Sequence, residues 1–239
     1  MKKIISLILT AIIVMSMTVP AFAENSEMLE PSVAEETEVY VSETENGEDA
    51  EQSINDEDAI VATLSVCSCM SIPVIAGHTY IYVQNLSDSP LQVGLYEVPA
   101  GQGVSAGLLS ISVSDGWGIY YNVEAYRENR DNHQSQIWSK TKELTAEDVE
   151  KLSNKLTGYL NHWDPFFNCS YFAFTVWNSI TGDFLVPLVI PVLSHLVVMV
   201  SGEKGALEMY EPETEQIFRQ KGYGSSAKLE LISEKTLNA

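Results

Sequence analysis

Cys169 stands in Asn168-Cys169-Ser170-Tyr171-Phe172-Ala173, just after a Trp163-Asp164-Pro165-Phe166-Phe167 loop and at the head of an apolar run with helical spacing. A thiol at a helix N-terminus meets unpaired backbone N–H groups and the positive end of the helix dipole, and both favour the thiolate. The thiolate is the nucleophile, so a histidine within reach would make this segment the site of a cysteine hydrolase. Taken alone, the residue has a second reading. An unpaired cysteine is either a functional thiol or a small buried hydrophobe.

Four histidines could supply the base. His133 and His162 lie in polar or loop surroundings, the setting of surface residues. His195 sits in an apolar run, where a core or capping histidine is the usual meaning, and no clear strand brings it back to Cys169. His78 opens a strand directly after Gly77. A sheet would hold its ring rigidly, and the neighbouring glycine admits a close backbone or substrate. The remaining cysteines, Cys67 and Cys69, are two apart in an expected strand and share a face. They are either free thiols or a strained short-loop disulfide, a matter that geometry decides.

The elements that must position these residues fall into two halves. Residues 60–67 alternate weakly before a break at Pro73. His78 to Gln84 reads as a strand, with His78, Tyr80, Tyr82 and Gln84 on one face. Asn85 to Pro90 is a turn, and Leu91 to Val98 alternates with Leu91, Val93 and Leu95 inward, which predicts a hairpin with the His78 strand. A turn at residues 99–103 precedes a strand over 104–113, and Trp117 to Tyr126 reads as a further strand. Then the period changes. Thr145 is an N-cap with acids in the first turn, and Val149, Leu152, Leu156, Tyr159 and Leu160 recur at helical spacing down to Asn161. In the next helix, for which Asn168 reads as the N-cap, Cys169, Phe172, Ala173 and Val176 share the packed face, and Gly182 is the stop. The expected fold class is α+β, an antiparallel sheet with helices packed on one side.

Residues 1–23 read as a secretory signal: Lys2 and Lys3, an apolar stretch from Ile4 to Val19, and Ala21-Phe22-Ala23 for cleavage after Ala23. Residues 24–59 hold 14 of the chain's 33 Asp and Glu and no Lys or Arg. Such a segment cannot bury enough surface to offset its ordering entropy, so a disordered acidic linker is expected there. Residues 60–239 then form one globular domain. The formal charge of −20 offers phosphate no basic patch, which excludes nucleic acid as a partner. Phe184 to Val200 is apolar but holds Pro187, Pro191 and His195, so a buried loop and short helix is preferred to a membrane span after the signal. The spacing of His and Cys fits no zinc site, and the chemistry needs no metal or other cofactor.

Gly77-His78 at a strand start, a β-rich stretch, a Thr-capped helix and then Asn168-Cys169-Ser170-Tyr171-Phe172-Ala173 resemble the circularly permuted papain-like amidohydrolases. These include the YiiX-like enzymes and lecithin:retinol acyltransferase, and are related to NlpC-type cell-wall peptidases. The resemblance covers about residues 74–200. It implies a permuted papain-like fold, Cys169 as nucleophile, His78 as general base, and a peptide or amide substrate such as cell-wall peptide, outside the cell. It also implies a polar third residue, a glutamate on a strand after the histidine, whose best match is Glu124 in Tyr120-Tyr121-Asn122-Val123-Glu124. Glu97 competes on hairpin geometry: if Gln84 pairs with Leu91, His78 lies opposite Glu97.

Overall fold

A computed structural model of the chain describes residues 59–70, 77–109, 117–131, 136–160, 162, 167–188 and 190–237. The expected signal and acidic linker (residues 1–58), the Pro73 break, the far end of the 104–113 strand, His133 and the 163–166 loop lie outside the described residues. The fold is α+β. Its strands are β1 (Ile60–Met70), β2 (Gly77–Asn85), β3 (Leu91–Val93), β4 (Tyr96–Val98), β5 (Gly103–Leu109), β6 (Gly118–Tyr121), β7 (Trp138–Thr145), β8 (Glu203–Lys204), β9 (Phe218–Lys221) and β10 (Lys228–Leu231). Eight of them form one antiparallel sheet in the order β10-β9-β6-β5-β2-β1-β7-β8, with β2 near its centre.

Alternation along these strands builds two buried faces. On one, Leu64, Val66, Ile81, Val83, Ala106 and Leu108 meet the apolar sides of helices α2 (Ala146–Thr157), α3 (Cys169–Thr181) and α4 (Pro191–Ser201). On the other, Tyr80, Tyr82 and Cys67 pack with Ala125 of helix α1 (Val123–Arg130) and with Met209. The large side chains of the first core, Trp177, Phe172 and Phe174 among them, are fully buried, and each contributes roughly 1.5–3 kcal/mol by leaving water. Helices therefore cover both faces of the sheet and not one.

The helix ends carry their signals. Thr145 and Asp148 form a reciprocal capping box at the start of α2. That helix ends at Gly158 and not at Asn161, which leaves Leu160 exposed. Asn168 caps α3, and Gly182, at φ 65°, closes it in the left-handed conformation glycine adopts without strain. The apolar run after it forms the expected short helix, α4, with Pro191 at its first turn. The run is not uniformly buried, since Phe184 is 70% and Val200 84% exposed.

Two strand readings change. β2 pairs with β1 and β5, and the 91–98 segment folds on itself as the separate β3–β4 hairpin, turning at Gly94 with φ 61°. His78 consequently lies opposite Cys69, while Glu97 faces Gln92 in the hairpin and is exposed. The expected strand over 117–126 stops at Tyr121. Asn122 takes a left-handed conformation (φ 68°) that asparagine tolerates, its N–H bonds to the Ser105 carbonyl, and the chain continues as α1.

Candidate active site

α3 and β2 bring the first two residues together at the strand's beginning. α3 starts at Cys169 because Asn168 accepts hydrogen bonds from the N–H groups of Ser170 (3.1 Å) and Tyr171 (3.3 Å), the usual service of an N-cap side chain. Its buried face, Phe172, Ala173 and Val176, seats the helix on the sheet. Ser170 then bonds Thr79 of β2, hydroxyl to hydroxyl, at 3.3 Å. The sulfur ends up beside the start of β2, where His78 and the Thr79 N–H both favour its charged form. Cys169 is 8% exposed.

Glu124 reaches the imidazole from the other side. The turn at Asn122 places it in the first turn of α1, where its Oε1 accepts a 3.0 Å hydrogen bond from Nε2 of His78. A carboxylate only accepts, so Nε2 carries the proton and Nδ1 is the basic nitrogen left for the sulfur. The other carboxylate oxygen, Oε2, accepts from the Ser105 hydroxyl at 3.0 Å. Tyr80 stacks against the His78 ring at 5.7 Å between centroids. Gly107 makes room: a Cβ there would lie 1.8 Å from Oε1 of Glu124 and 3.2 Å from Nε2 of His78.

The electrostatics follow from this packing. Burial works against the Cys169 thiolate. The opposing charge and hydrogen bond of His78, with the Thr79 N–H and the Ser170 hydroxyl, outweigh it and hold the thiol below its ordinary range. Burial would likewise depress His78, yet the Cys169 thiolate and then Glu124 push its imidazole up to about 10. The favoured form of the pair is thus thiolate–imidazolium. In contrast Cys67 and Cys69, both free, are driven upward by burial and by neighbouring carboxylates, which keeps them as thiols.

The other candidates stand elsewhere. His195, on α4, is buried, and its Nδ1 lies 3.1 Å from the Ser68 hydroxyl, which also donates to the His78 carbonyl at 3.4 Å. It supports the sheet behind His78. His162 is exposed, and Glu97 is on the separate hairpin. Among the described residues no group of three His, Cys, Asp or Glu is arranged to hold a metal ion. Nor is any helix among them long and apolar enough to cross a membrane.

Thr79, Ser105 and Gly107 were not singled out in the sequence. The one available signal was Gly107 inside the strand Gly103–Leu109, since a glycine within a strand marks a place where something approaches the backbone closely. Serine and threonine on strands carry no such signal. No protein-family model matches this chain, and neither a curated protein nor a solved structure matches it.

Proposed function

We propose that the chain is an exported cysteine hydrolase that cleaves peptide or other amide bonds, cell-wall peptides being the leading substrate, and that its fold is the circularly permuted papain-like one. The observation that carries this reading is the 3.0 Å hydrogen bond from His78 to Glu124 together with the mutual influence of His78 and Cys169, whose sulfur stands at a capped helix start. The histidine strand precedes the cysteine helix in the chain, as in the permuted amidohydrolases the sequence resembles.

The chemistry follows from the protonation pattern. The proton rests on Nδ1 of His78, and the Cys169 thiolate attacks the amide carbonyl. The Cys169 N–H, at the helix start beside the sulfur, is the donor for the tetrahedral oxyanion. Collapse expels the amine, which leaves with the imidazolium proton, and forms a thioacyl-enzyme. Water or a second amine then attacks the thioester and regenerates the thiolate–imidazolium pair.

Labelling tests the dyad. Cys169 should alkylate with iodoacetamide well below the ordinary thiol pKa of about 8.5, and His78→Ala should slow that reaction on the order of 10–100-fold at neutral pH. An unchanged rate in His78→Ala would end the proposal. Cleavage of cell-wall peptides, followed by mass spectrometry and lost in Cys169→Ala, tests the substrate class. The rival reading, a secreted binding module around an inert thiol, draws on the 8% exposure of Cys169, and a thiol that refuses label throughout would favour it.

A further inference from the structure

We propose that Ser105 is a positioning residue of this site, acting on His78 through Glu124; the inference rests on the dyad reading above. Helix α1, which carries Glu124, has no side-chain cap of its own, because its N-cap residue Asn122 makes no capping hydrogen bond. Ser105 supplies that cap from across the sheet. Its hydroxyl oxygen accepts the N–H of Ala125 at 3.2 Å, the third residue of the helix, where an N-cap side chain would normally bond. With its lone pair so engaged, the hydroxyl turns its proton to Oε2 of Glu124 at 3.0 Å. The Ser105 carbonyl also accepts the Asn122 N–H at 2.9 Å.

One residue therefore fixes both the helix turn and the carboxylate it bears. Ser105 is fully buried on β5, held between β2 and β6, and opposite Tyr82 in the β2 register. The carboxylate is left a single orientation: Oε2 on Ser105, Oε1 on Nε2 of His78. A carboxylate bonded only to the imidazole would be free to rotate about its last torsion, and the proton on Nε2 would be held less firmly. The consequence reaches the sulfur, since the thiolate is stable only while His78 keeps both protons.

The test is the pH profile of Cys169 alkylation by iodoacetamide in the full chain, mapped by mass spectrometry, with melting curves to establish that each variant is folded. Ser105→Ala and Ser105→Val both remove the hydroxyl, so the folding of either suffices, and Ser105→Thr retains it. The hydroxyl-free variants should move the acid limb up by about one pH unit, making alkylation about tenfold slower below the midpoint, the loss expected for one hydrogen bond to a charged group. Ser105→Thr should keep the native profile. In a Glu124→Gln background the Ser105 substitutions should add no further shift. A native profile in Ser105→Ala or Ser105→Val overturns the proposal. So does an equal shift in the Glu124→Gln background, or a threonine variant that behaves like valine. If His78→Ala leaves alkylation unchanged, the dyad reading fails and takes this one with it. If His78→Ala slows alkylation while the Ser105 variants stay silent, only the role of Ser105 is lost.

Discussion

Cys169 and Cys67 are both buried thiols, yet one is held as a thiolate and the other as a thiol. The difference is the company each keeps. An imidazolium and donors from Thr79 and Ser170 offset burial at the first, while at the second burial, then Cys69 and nearby carboxylates, all push the thiol up. Iodoacetamide at neutral pH should therefore label Cys169 ahead of Cys67 and Cys69, which peptide mapping reads directly. Gly107 is the residue on which the arrangement is sterically most dependent. Gly107→Ala would drive a methyl into Oε1 of Glu124, so the carboxylate must leave His78 or the strands must part. We expect a loss of about 1–3 kcal/mol of stability from the overpacking, together with slower Cys169 alkylation. A variant with native alkylation would show that Glu124 does not have to touch the imidazole.

At the level of elements, two N-caps of similar chemistry have different consequences. Removing either should cost about 1 kcal/mol, read as a lower melting temperature in Thr145→Ala and in Asn168→Ala. Only the Asn168 variant should also alter the pH profile of Cys169, because α3 presents the sulfur and α2 does not. Both caps were legible in the sequence, since an N-cap is a local event between a side chain and backbone three residues away. The strands were less so. β7, β9 and β10 read Trp-Ser-Lys-Thr-Lys-Glu-Leu-Thr, Phe-Arg-Gln-Lys and Lys-Leu-Glu-Leu, with charged residues on their exposed sides that mask any apolar alternation. The partner of β2 was not legible either. Two neighbouring apolar runs joined by a turn look like a hairpin, and nothing local reveals that Gly94 folds the second run on itself.

For the whole molecule, the dyad links protonation to stability. His78 is raised to about 10 from an unfolded value of about 6.5, so its contribution is full below pH ~6.5 and lost as pH rises through the folded value. Cys169 is lowered, so its contribution is full above about pH 8.5 and lost as pH falls through its folded value. The two contributions are therefore lost on opposite sides, one as pH rises toward about 10 and the other as pH falls. The melting-temperature advantage of the native chain over a Cys169→Ala/His78→Ala double variant should accordingly pass through a maximum. An advantage that shows no alkaline fall would mean that His78 is not held charged in the fold.

What the sequence determined by itself was local: the capped start of α3 at Asn168, the face that carries Cys169 with Phe172 and Val176, the stop at Gly182, and His78 at a strand start. These depend on groups a few residues apart, where helix and strand periods place side chains without reference to the rest of the chain. Tertiary structure decided what those groups meet. The resemblance implies Glu124 on a strand, yet it reaches His78 because Asn122 breaks that strand and starts a helix on the opposite face of the sheet. Ser105, Gly107 and Thr79 enter the site only through strand register and the crossing of α1 over β5. Register is a property of paired strands, set by burial on both faces at once, and no stretch of sequence read alone contains it.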